Sequence, residues 1–143
     1  MSLSLVTVPL LLDTNTQVDH LLRQWLQLFH NGHMIMPTTS VATFFVYLYV
    51  VFNKRSSGRS WTGYAVAGAV TVGMIPFTLI VMVSTNNTLF ALVDAINDAT
   101  QVTSLEYVKE LVTRWSWMHV VRSLFPLFGS ILGFNVLLKD LAA

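Results

Sequence analysis

The stretch WTGYAVAGAVTVGMIPFTLIVMV, residues 61–83, contains no Asp, Glu, Lys, Arg or His. Crossing a hydrocarbon core of about 30 Å takes roughly 20 residues of helix, so this run is long enough to span a bilayer. Residues 34–52 form a second charge-free run, and residues 118–138 a third, interrupted only by His119 and Arg122. The whole chain is 54% hydrophobic and 10% charged, whereas a soluble domain carries about a quarter charged residues. These features predict an all-α, polytopic membrane protein whose first partner is the lipid bilayer. A formal charge of +1 leaves no basic patch for nucleic acid. Cysteine is absent, which removes disulfides and thiolate chemistry and leaves the redox compartment open.

Outward from these runs, residues 1–12 are apolar, contain Pro9 and lack the basic leader of a signal peptide. They are too short to span and look like the second half of a transmembrane helix, an incomplete first span. A polar break at 13–16 offers helix caps. Val18, Leu21, Leu22, Trp25, Leu28 and Phe29 then recur at helical spacing among polar residues, predicting an amphipathic helix at the interface or packed on the bundle. Asn31-Gly32 supplies its stop, and Pro37 stiffens the start of the next span.

The linker NKRSSGRS, residues 53–60, is the most basic segment, and the positive-inside rule assigns it to the cytosol. Alternation places 13–33 and 84–114 together on the opposite side and returns Lys139 to the linker's side. Leu89, Leu92, Val93 and Ile96 predict a short amphipathic helix in the second loop. Thr103 and Glu106 read as a capping box opening a helix that runs unbroken through Trp115 into the last span. Small residues at Gly63/Ala67, Ala65/Ala69/Gly73 and Gly129/Gly133 permit close helix approach, and Pro76 and Pro126 are expected to bend their helices. The expected architecture is one membrane domain over 1–143. It is a four-helix bundle with spans near 1–12 (partial), 34–52, 61–83 and 115–138, and short amphipathic helices in its loops. Oligomeric state is not legible.

Chemistry concentrates where Trp115, His119 and Arg122 stand at i, i+4 and i+7, on one helix face. Ionisable groups inside a span cost a few kcal/mol to insert and are usually aimed at a partner, cavity or ligand. The topology brings His30 and His33, Asn86 and Asn87, and this trio to the same membrane boundary. An inward face with an arginine, a histidine and amides suits an anionic or phenolic ligand between helices. Each residue also has a plainer reading. Arg122 can snorkel to headgroups, His119 can pack, Asn86-Asn87 can form a turn, and His30 and His33 can be interfacial. Three imidazoles, of His30, His33 and His119, are in principle a metal set. Without an HExxH motif or a carboxylate in the spans, a bound metal is the less favoured expectation.

Three blocks in order and spacing resemble the anthrone oxygenase-like family. They are Trp25-x-x-x-Phe29-His-Asn-Gly32-His33-x-x-x-Pro37; Pro76-Phe-Thr78 with Asn86-Asn87-x-Leu89; and Trp115-x-x-x-His119-x-x-Arg122 with Pro126. The resemblance covers nearly the whole chain. It implies a small four-helix integral membrane protein of a fungal aromatic polyketide pathway, in an intracellular membrane such as the endoplasmic reticulum. It also implies a monooxygenase that oxidises an anthrone to an anthraquinone with dioxygen as co-substrate; because the electron-rich anthrone anion can itself reduce dioxygen, no cofactor is expected.

Such chemistry needs a base, a donor for an oxyanion and a flat apolar slot. The expected catalytic residues are His119 as base, Arg122 as anion stabiliser and Asn86 as a hydrogen-bonding partner of the substrate. Trp115, Trp117, Asn87 and His33 are the expected substrate-binding residues; Trp117 does not share the face of His119. The competing reading is a non-catalytic membrane scaffold or lipid- or aromatic-binding bundle. A transporter is disfavoured by the lack of an internal repeat.

Overall fold

Among residues 3–98 and 103–142, which the computed structural model describes, every regular element is helical. A π-helical turn, Leu3–Thr7, leads into α1 (Val8–Thr14); α2 covers Val18–Gly32, α3 Ile35–Ser56, α4 Thr62–Val72 and α5 Met74–Phe77. A second π-helical turn, Thr78–Met82, joins α5 to α6 (Val83–Asn97), and α7 covers Leu105–Leu141. The first two residues of the expected partial span lie outside the described residues. Three helical stretches, Val18–Ser56, Thr62–Asn97 and Leu105–Leu141, are long and apolar enough to cross a membrane, and Ser4–Thr14 is a shorter apolar helix. The all-α class is as the sequence predicts, and the three stretches are compatible with a multi-pass membrane protein.

Several boundaries differ from expectation, each for a local reason. At Asn31-Gly32 α2 does end as expected, but no loop follows. His33 and Met34 keep near-helical backbone angles, and α3 follows at once. At the other end α3 continues through the first half of the basic linker. It closes where Gly58 adopts φ 69°, with Gly58 N–H donating to Arg55 O and Arg59 N–H to Lys54 O. That is a Schellman ending, and Lys54 and Arg55 complement the helix dipole there. The expected loop from residue 84 is instead helical to Asn97, since no glycine or proline interrupts the apolar periodicity after Val83. Asn86 and Asn87 therefore lie within α6 rather than in a turn. The cap of α7 is one residue later than the expected capping box: Ser104 Oγ accepts from Tyr107 N–H.

Prolines account for further irregularity. Pro9 has no N–H to offer Leu5 O four residues back, and the wider turn Leu3–Thr7 lies over that gap. Pro76 cannot serve Val72 O, and the helix is interrupted at Gly73. Pro126, by contrast, lies inside α7 without ending it.

The residues form two compact units. In the first, Met1–His33 with Phe77–Arg122, the core is Val8 of α1, Leu21, Leu22 and Trp25 of α2, Met82 of the second π-helical turn, Leu89 and Val93 of α6, and Val108, Leu111, Val112 and Trp115 of α7. The amphipathic stripe of α2 is thus a core face. Asn15 Nδ2 ties the end of α1 to α2 by donating to Leu11 O and Gln24 Oε1, each at 2.7 Å.

In the second unit, Met34–Pro76 with Ser123–Ala143, small residues set the packing. A Cβ on Gly129 would stand against Thr71 Oγ1 and 2.9 Å from Ala67 O, and one on Gly63 would stand 2.6 Å from Val136. The space beside Gly133 belongs to the Tyr47 phenol, whose hydroxyl donates to Gly129 O at 3.1 Å. Lys54 pairs with Asp140, which also accepts from Tyr64 OH at 2.7 Å. The linker end of α3 and the last turn of α7 therefore meet, as alternating spans require.

Gly129→Ala should overpack this contact at a cost of roughly 1–3 kcal/mol. The full chain in detergent should then melt several degrees earlier, whereas Gly32→Ala, with nothing within 4 Å of its added carbon, should not. Equal melting of the two variants would show that the glycine contact does not govern stability.

Candidate functional site

Polar groups inside the apolar first unit converge on one face of α7. Trp115, Ser116, His119 and Arg122 are all buried, whereas Thr113, Arg114, Trp117 and Val121 are exposed. The expected inward face is therefore the one the helix presents to its core. Arg122 Nη2 donates to His119 Nε2 at 2.8 Å, and Arg122 Nη1 reaches Thr78 Oγ1 at 3.5 Å. The other imidazole nitrogen, His119 Nδ1, lies 3.1 Å from Ser4 Oγ. Ser116 Oγ donates to Ser4 O at 3.0 Å. Ser4 belongs to one π-helical turn and Thr78 opens the other, so the two local departures from α-helix each deliver a hydroxyl to this pair.

These contacts assign the tautomer. A guanidinium only donates, so His119 Nε2 must supply a lone pair, and in the neutral ring the proton sits on Nδ1 and is given to Ser4 Oγ. The imidazole lone pair, the group a general base uses, is thus held by a cation in a dry surrounding. Low local polarity strengthens such hydrogen bonds. A buried guanidinium also attracts carboxylate, phenolate or peroxide oxygens.

Aromatic rings form the next layer. Trp115 lies 5.1 Å from the His119 ring and meets Trp25 edge-on at 6.1 Å. Trp25 meets Phe90 at 5.3 Å, Phe90 meets Phe29 at 4.9 Å, and Phe29 stacks on His33 at 5.4 Å. The segments expected at one boundary are therefore linked by rings, but the polar groups are not all gathered. His33, Asn87 and Trp117 are exposed. Asn86 is buried in the same unit, and among the described residues its Oδ1 has no hydrogen-bond partner, nor do the indole Nε1 atoms of Trp25 and Trp115. Among the described residues, no three His, Asp or Glu side chains group as a metal set, so His30, His33 and His119 do not come together.

Sequence reasoning missed Ser4, Ser116 and Thr78. Ser116 carried a usable signal, standing three residues before His119. Thr78 was inside a recognised block without an assigned role. Ser4 had no signal, because a serine in a short apolar stretch reads as a small packing residue.

Comparison with known proteins gives a consistent result. The anthrone oxygenase family matches residues 25–132. Anthrone oxygenase nsrD of Aspergillus novofumigatus is 47% identical over 142 residues, covering 99% of this chain and 85% of that protein. Anthrone oxygenase gedH of Aspergillus terreus is 45% identical over 141 residues, covering 99% and 91%. Monooxygenase hypC of Dothistroma septosporum is 41% identical over 133 residues, covering 93% and 71%. No solved structure gives a significant match.

Nitrogen-15 spectra of the full chain in lipid should show His119 neutral, with Nδ1 protonated and Nε2 bare. A proton found on Nε2 would contradict the Arg122 bond from which the tautomer is read.

Proposed function

Because the chain belongs to the anthrone oxygenase family and is an oxygenase, we propose that it oxidises an anthrone-type aromatic of a polyketide pathway to the anthraquinone from within a membrane. The observation that carries the chemistry is the buried pair of His119 Nε2 and Arg122. The methylene of an anthrone is acidic because its conjugate base is an aromatic phenolate. The substrate oxygen draws the guanidinium off His119, which bares the Nε2 lone pair to take the methylene proton. Arg122 then holds the phenolate as its charge develops.

The anion gives one electron to dioxygen, and superoxide and the ring radical join in a carbon–oxygen bond at the former methylene. The imidazolium returns its proton to the peroxide. Removal of the second hydrogen from that carbon, with cleavage of the oxygen–oxygen bond, releases water and leaves the second carbonyl. One dioxygen is consumed per quinone, with one oxygen atom in the product and one in water. Trp115 offers the flat wall, and Asn86 Oδ1, buried and without a partner among the described residues, accepts a phenolic O–H. Dioxygen is the only co-substrate this route uses.

Membrane embedding is supported by the three long apolar stretches and by the exposed Phe45, Tyr49, Phe52, Ile80 and Phe134. Side chains of this kind suit lipid better than water. A tricyclic apolar substrate partitions into the same phase. An intracellular membrane such as the endoplasmic reticulum is the proposed location.

Membranes containing the full chain, given a hydroxylated anthrone, should take up dioxygen and form the anthraquinone. His119→Ala, inserted normally, should lose about 10²–10⁴-fold, the usual contribution of a positioned base. Equal uptake by both would remove His119 from the chemistry. An equimolar transition metal, lost on substitution of His30, His33 or His119, would replace the metal-free route.

A further inference from the structure

Within the first unit a groove of about 140 Å³ opens between the N-terminal turns and α7. Ser4, Leu5 and Val8 line one side, and Thr113, Ser116 and Trp117 the other. Its lips are apolar and open, with Leu5 55% and Trp117 64% exposed. Ser4 and Ser116 in its lining are buried, at 3% and 8% exposed. Since Ser4 Oγ accepts from His119 Nδ1, the groove lies one hydrogen bond from the candidate base.

Size and polarity identify the occupant. An apolar cavity of about 150 Å³ takes a single benzene ring, so this groove seats one ring and cannot enclose a tricycle. Because the imidazole donates to Ser4 Oγ, the Ser4 hydroxyl hydrogen remains to donate to a ligand oxygen. Ser116 Oγ, donating to Ser4 O, keeps lone pairs to accept a phenolic O–H. An acyl chain has no use for either hydroxyl. We propose that the groove seats one terminal, hydroxylated ring of the aromatic substrate between Leu5 and Trp117, and that Ser4 is the positioning residue joining that ring to His119. This rests on the oxygenase reading for the identity of the aromatic, and the binding test below is separable from turnover.

The test uses the full chain in lipid nanodiscs, with a dihydroxyanthraquinone as the non-reacting probe. Thr113 is exposed and lines the groove, so Thr113→Trp fills the space without disturbing the core. Its dissociation constant should rise about tenfold or more, while Thr113→Ser stays at the wild-type value. Ser4→Ala should lower kcat more than it raises KM and should shift the His119 nitrogen resonances, and Ser4→Thr should restore both.

Unchanged probe binding in Thr113→Trp, no probe binding by the wild type, or displacement of the probe by palmitate at equal concentration would each overturn the proposal. So would unaltered kcat and resonances in Ser4→Ala. Groove-dependent probe binding by a wild type that takes up no dioxygen would support the groove and overturn the oxygenase reading. Full turnover by Thr113→Trp would overturn the groove alone.

Discussion

The hydrogen bond from Arg122 to His119 Nε2 is the interaction on which the proposed chemistry depends, because it joins a donor-only cation to the ring nitrogen that carries the lone pair. Burying such a pair in an apolar unit is costly unless its remaining valences are met. Thr78 and Ser4 meet part of that demand from outside α7. Both come from turns wound wider than an α-helix, a local irregularity that recurs at functional sites. On the proposed route the same pairing keeps the base masked until a substrate oxygen competes for the guanidinium, which ties proton abstraction to occupancy of the site.

Packing around the pair follows from ordinary helix periodicity. On α7 the spacing that brings Trp115, His119 and Arg122 to one face also turns Trp117 outward. Trp25 lies beside Trp115 because the apolar stripe of α2 packs into the same core. In the other unit the constraint is steric instead. Gly129 and Gly63 leave room for Thr71 and Val136, and the Tyr47 phenol fills the space beside Gly133. Close approach through small residues is the usual basis of helix association where lipid removes the hydrophobic drive.

Much of this was legible in the sequence. Charge-free runs gave the helices and their class, the i, i+4, i+7 pattern gave the inward face of α7, and the small-residue spacings gave the glycine contacts. Less legible was anything that depended on main-chain geometry. The continuation of α6 past Val83 was hidden because Ser84, Asn86 and Asn87 favour turns in isolation, while the tertiary packing of Leu89 and Val93 decides for helix. Ser4 was hidden for a different reason. Its role comes from a contact with a residue 115 positions away, and nothing in a short apolar segment announces such a contact. The Ser104 cap shows the smallest scale of miss, one residue of register at a helix start.

The central claim is that His119 removes a proton from the substrate before dioxygen takes part. Exchange of the anthrone methylene hydrogens with deuterated water, followed without dioxygen, tests that order directly. The full chain should accelerate exchange well above the spontaneous rate, and His119→Ala, equally well inserted, should not. Exchange at the spontaneous rate by the wild type, with oxidation restored on admitting dioxygen, would contradict the account and place dioxygen activation ahead of proton removal.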